Sequence, residues 1–144
     1  ANGYQSLYSN TGNYNTAIGT NSLFTNTDGY DNTATGLQSL YYNTTGYQNT
    51  ANGTYSLVYN TTGTQNTAIG HSSLDLNTTG FQNTAVGFKS LYSNNSNWNT
   101  AVGYQALYNT NSGGSNTAIG YQAGLANTSG AVNLFLGFAL EHFF

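Results

Sequence analysis

The chain has 144 residues and a formal charge of −3, and only 3% of it is charged, where a globular domain carries about 25%. Lys89 is the single cation, so no basic patch exists for nucleic acid or anionic lipid. The absence of Cys excludes disulfides and thiolate metal sites, and no run of about 18 apolar residues reads as a membrane span.

Ala1 falls in the middle of a repeat, so the chain reads as a mature or excerpted portion of something longer. The phrase Asn-Thr-Ala-(Ile/Val)-Gly, or a variant, then starts at Asn15, Asn32, Asn49, Asn66, Asn83, Asn99, Asn116 and Asn133. The step is 17 residues, with one interval of 16. Numbered from that Asn, the unit is Asn-Thr-Ala-(Ile/Val)-Gly-Tyr-Gln-Ser-Leu-Tyr-x-Asn-Thr-Thr-Gly-Tyr-Gln. A fixed period of this size marks one thin supersecondary unit that is stable only when stacked on its neighbours. The expected fold is therefore all-β: a parallel β-solenoid or β-roll of about eight and a half copies, forming one repeat domain over residues 1–144.

Each copy predicts two short strands, Thr-Ala-Ile at positions two to four and Ser-Leu-Tyr at eight to ten. The Gly at position five is expected to turn a corner with positive φ. No stretch sustains helical apolar spacing. The core is expected from two columns: position four (Ile18, Ile69, Val86, Val102, Ile119) and position nine (Leu7 through Leu107). Strand alternation would then send Thr and Ile inward and Ala outward. On that reading Thr35 and Asn52 weaken their coils, and the half-buried Thr column argues against an ice-binding surface. Asn columns are expected to bond amide to amide along the rod.

Both length changes, before Asn15 and before Asn99, fall in the Asn-Thr-Thr-Gly turn, where a surface loop tolerates them. Asn43, Asn60, Asn77, Asn94 and Asn127 precede x-Ser/Thr in that turn and are glycosylation candidates, although an Asn/Thr-rich repeat generates such triplets by composition alone. Asn52 also heads such a triplet but belongs to the column assigned to the core. Aromatic columns recur at positions six and ten; they either cover the sheet or act as platforms for sugars or sister chains, with Tyr41, Tyr92, Tyr104 and Tyr121 as the candidates.

Catalytic and metal-binding residues are not expected, nor is a cofactor. His71 and His142 lack ligands at metal spacing, Asp75 stands alone, and Asp28 and Asp31 read as turn residues rather than a paired-carboxylate site. The last copy, 133–144, is atypical. It is strongly apolar, with Phe135 in the Ala column and Phe143 and Phe144 near its end; burial of these three against another subunit is expected.

The units Asn99 to Tyr108 (Asn-Thr-Ala-Val-Gly-Tyr-Gln-Ala-Leu-Tyr) and Asn116 to Gly124 resemble repeats of bacterial surface proteins and phage tail fibres. More distantly they resemble the head repeats of trimeric autotransporter adhesins. The resemblance implies a β-roll, association of chains and attachment at a surface. The expected function is a non-catalytic segment of an extracellular fibre, adhesin or tail fibre. It would self-associate as a trimer or head-to-tail filament, with surface polysaccharide as a second partner and ice binding as a third reading.

Overall fold

A computed structural model describes residues 1–138 of the chain. It contains eight three-residue strands: β1 (Thr16–Ile18), β2 (Thr33–Thr35), β3 (Thr50–Asn52), β4 (Thr67–Ile69), β5 (Thr84–Val86), β6 (Thr100–Val102), β7 (Thr117–Ile119) and β8 (Leu134–Leu136). They form one parallel sheet in sequence order, with Thr opposite Thr and Ala opposite Ala from β1 to β7. Each coil of the chain thus advances the sheet by one strand, and no helix occurs among the described residues. This is the expected β-solenoid. Phe143 and Phe144 lie outside the described residues, as does His142.

The facing of the strands is the reverse of the expectation. Ala17, Ala34, Ala51, Ala68, Ala85, Ala101 and Ala118 have no exposed surface, while Ile18 and Ile119 are each 47% exposed. The cause is the Asn at position one. It is buried from Asn32 through Asn116 because its amide closes the coil, its Nδ2 donating to the Gly carbonyl 14 residues later at 2.8 Å in Asn32, Asn49 and Asn66. With position one inside, a period of two puts Ala inside and Thr and Ile outside. Each of the coils from Asn15 to Trp98 is therefore filled by one Ala, one Leu, a Ser at position eight, and two Asn; later coils substitute Ala106 and Ala123 at position eight, Thr110 at position twelve and Gly124 at position nine. Outward placement also removes the penalty expected at Thr35 and Asn52.

The Ser-Leu-Tyr segment is not a strand. Its Leu has φ of 49–54° in every copy from Leu7 to Leu107, a left-handed conformation that costs an L-residue about 1–2 kcal/mol. The Leu side chain nevertheless reaches the core and is fully buried from Leu23 onward. Its N–H donates to the position-eight carbonyl of the next coil, as from Leu40 to Ser56 at 3.0 Å. Coil-to-coil bonding thus continues outside the sheet, and the left-handed residues bend the backbone around a narrow interior. Strand propensity could not predict this, because Leu has no intrinsic preference for positive φ.

Gly at position five does turn the corner, with φ between 124° and 146° from Gly19 to Gly120. A Cβ on Gly36 would also stand 2.6 Å from the Gly53 carbonyl oxygen, so the coils stack there too closely for any side chain.

Candidate functional site

Three surfaces present functional groups. The first is the aromatic column at position six. Phe88, Tyr104, Tyr121 and Phe138 stack with centroids 5.2, 5.1 and 5.0 Å apart and interplanar angles of at most 12°. His71 extends the stack at 5.5 Å from Phe88. Tyr104 and Tyr121 are 42% and 46% exposed. Beside them Gln122 Nε2 donates to Gln105 Oε1 at 2.8 Å. Rings and amides thus share one stretch of surface, the combination that stacks on and hydrogen-bonds to a sugar. Tyr41 and Tyr92, the other two candidates, stand in the separate column at position ten and are half-buried. Tyr41 stacks on Phe24 at 5.0 Å and Tyr92 on Tyr108 at 5.0 Å.

The second surface gathers charge that the sequence scatters. Asp75 occupies the aromatic column at position ten, between Val58 and Tyr92, and is only 9% exposed. Burial raises its pKa above the ordinary carboxylate value, with Ser72, His71 and Lys89 pulling the other way. Lys89 Nζ lies 5.2 Å from the Tyr92 ring centroid and 5.5 Å from that of Phe88, within cation–π range. The Tyr92 hydroxyl is in turn pushed up, first by burial and then by Asp75. Along the sequence Asp75 and His71 stand isolated. The signal that could have joined them is the 17-residue column arithmetic, which places Lys89 one coil above Ser72.

The third surface is the outward side of β1–β7, where Thr at position two and Ile or Val at position four alternate with the buried Ala. Sequence reasoning discarded it by assigning those residues to the interior.

No match answers this chain. Comparison with protein-family models, with curated proteins and with solved structures returns none.

The remaining candidates fall elsewhere. Asn43, Asn60, Asn77 and Asn94 have no exposed surface, and their side-chain nitrogens are engaged inside the rod: Asn60 Nδ2 donates to Asn43 Oδ1 at 2.8 Å and to the Gly63 carbonyl at 3.0 Å. Asn127 is half-buried and its Nδ2 donates to the Gly130 carbonyl at 3.1 Å. An outer-turn assignment thus fails because this Asn points inward to cap its own turn, and in the closed coil the four buried amides are out of reach of a glycosylating enzyme. Asn52, assigned to the core, is the exposed one. Phe135 is half-buried. It packs against the core, where Gly124 replaces the Leu of position nine; a Cβ there would approach the Phe135 ring at 2.8 Å. The two departures from the repeat compensate each other. Asp28 and Asp31 are exposed beside an open hollow that Tyr14 and Tyr30 also line; they are solvated turn residues.

Proposed function

We propose that this chain is a non-catalytic structural segment of an extracellular fibre, surface adhesin or tail fibre, acting as a stiff rod that associates with copies of itself. The observation that carries the reading is how the polar atoms are used. Asn, Ser and turn Thr side chains bond to neighbouring coils and turns rather than converge on a cleft, as when Thr44 Oγ1 donates to the Thr61 carbonyl at 2.9 Å. Repetition supplies stiffness, and identical columns multiply a weak contact along the rod. The resemblance of the Asn-Thr-Ala-Ile-Gly units to fibre and adhesin repeats supports the same reading. Electron micrographs together with sedimentation should reveal trimers or filaments of constant width; monomers that stay discrete at high concentration would overturn self-association.

A second reading, a glycan-binding module, is favoured by the exposed stack at Tyr104 and Tyr121 beside the Gln105–Gln122 amides. Binding on a glycan array that disappears in the double variant Tyr104→Ala/Tyr121→Ala, with unfolding unchanged, would support it. Wild-type protein that binds no glycan would remove it.

A further inference from the structure

Two threonine columns differ in what their hydroxyls do. Those at position thirteen are engaged: the Thr27, Thr44 and Thr61 hydroxyls donate to carbonyls of the next coil at 2.9–3.1 Å. Those at position two, from Thr16 to Thr117, point outward, and among the described residues none of their hydroxyls makes a hydrogen bond to protein. Seven strands thus carry an unused hydroxyl-and-methyl column in strict register.

Parallel to it runs position four, with Ile18, Ile69, Val86, Val102 and Ile119 and the smaller polar Thr35 and Asn52. The two columns stand about 7 Å apart across the strand, two residue rises, and repeat about every 4.8 Å along the rod. The one short coil leaves the register intact, Thr84 opposing Thr100. None of the described charged residues, Asp28, Asp31, Asp75 and Lys89, belongs to these columns.

We propose that this outward face of β1–β7 binds the surface of an ice crystal. Three properties of the face point to that occupant. It has no charge, and ice presents none. Its hydroxyls and methyls repeat as a lattice, so water held at one strand is held equivalently at the next. The lattice is also preorganised: the fully buried Ala column fixes each strand from below, and stacked rings 5.0–5.2 Å apart at the rod's periphery barely exceed the strand spacing, so successive coils shift little sideways. Preorganisation removes the ordering cost of binding, and seven ranks acting together make each weak contact count. A protein partner fits less well, since the face carries neither aromatic nor Arg anchors.

The inference depends on the solenoid and is independent of the fibre reading. It is tested with the full chain, fluorescently labelled, by partition into slowly grown ice and by freezing hysteresis. Wild type should be taken up by ice and shape its crystals. The double variant Thr67→Lys/Thr100→Lys should lose about tenfold or more of that activity, whereas Tyr59→Lys, on another side of the coil, should retain it. Circular dichroism checks folding, and Thr67→Val/Thr100→Val, which keeps strand shape, should still weaken uptake. Exclusion of wild type from ice would overturn the proposal, as would equal losses in face and control variants. So would a change in oligomeric state in the lysine variant with ice uptake unaltered, which would make the face a contact between copies.

Discussion

Two Asn columns run along the rod, unbroken at position one and interrupted by Thr110 at position twelve, and they differ at the coil of 16 residues at Asn83–Trp98. In the column at position one, the side-chain oxygen accepts the backbone N–H of the next Asn at 2.9–3.0 Å from Asn32 to Asn133, straight through the short coil. In the column at position twelve, amide bonds amide from Asn10 to Asn77, and then the chain of bonds stops. Asn94 Nδ2 donates to the Ser96 carbonyl, Asn94 Oδ1 accepts from Asn99 Nδ2 at 2.9 Å, and Asn77 Oδ1 is left buried without a partner. A ladder anchored to backbone at the strand entrance keeps its register. A ladder that rests on side chains alone stops where Asn94 turns to the Ser96 carbonyl and Thr110 replaces the next amide, although in the other short coil Asn10 Oδ1 still accepts from Asn26.

That comparison is most sharply tested at position one. Asn66→Ala removes the acceptor of the Asn83 N–H and the donor to the Gly80 carbonyl. The buried Asn83 N–H is left unsatisfied, at about 1–3 kcal/mol, while the Gly80 carbonyl keeps Asn77 Nδ2 as a donor and its lost bond costs about 1 kcal/mol, so denaturant unfolding should show a loss of about 2–4 kcal/mol. A loss below about 1 kcal/mol would mean that water replaces the amide and that the column is not what closes the coil.

Position twelve should split between its intact and broken stretches. Asn60→Ala severs bonds to both neighbouring coils and to Gly63, for about 2–3 kcal/mol. Asn94→Ala should cost about 1 kcal/mol or less, because Ser96 O and Asn99 Nδ2 keep other partners in Asn83 and Gly113. Equal losses would contradict the interruption. Next in size is the parity that the Asn column imposes: Ala68→Val, overpacking the interior, should destabilise by about 1–3 kcal/mol, while Ile69→Thr should stay within about 0.5 kcal/mol. The opposite ranking would put Ile inside.

A smaller effect belongs to Asp75. Its folded pKa is raised by burial, so its favourable contribution is complete below the unfolded carboxylate value and disappears as pH rises through the folded one. Asp75→Asn should therefore raise the melting temperature at pH 7, and the gap should close as pH falls towards the unfolded value near 3.9. A gap that widens on acidification would mean that His71 and Lys89 outweigh burial. The smallest effect is expected at Gln38, whose φ is 54°. Asn tolerates that conformation better and already stands at the same position as Asn21, so Gln38→Asn should gain at most about 1 kcal/mol.

Period, sheet class and Gly corners were legible because each rests on a local, one-sided constraint: an insertion within a strand would break the register, and no side chain fits between Gly36 and Gly53. The facing was not, since Thr-Ala-Ile alternates equally well either way. Only the Asn before it fixes the parity, and its role depends on a Gly 14 residues ahead. The left-handed Leu was illegible for a different reason, because three-dimensional closure overrides its intrinsic preference. The joint change at Gly124 and Phe135 was visible as two anomalies in one repeat, yet their compensation needs the contact between adjacent coils. The Asp75 cluster likewise required reading down columns rather than along the chain.

The coil-to-coil bonds described above run both ways along the rod. The N–H groups of Leu40 and Tyr42 point to the next coil, while those of Gly36 and Gln38 point back to the previous one. Peptide dipoles therefore oppose one another within every cross-section, as in other sheets and unlike an α-helix. Lengthening such a rod therefore builds up less polarity per residue than lengthening an α-helix, which eases the need for compensating ions or charged side chains. A chain that is only 3% charged can extend by simple duplication of its unit.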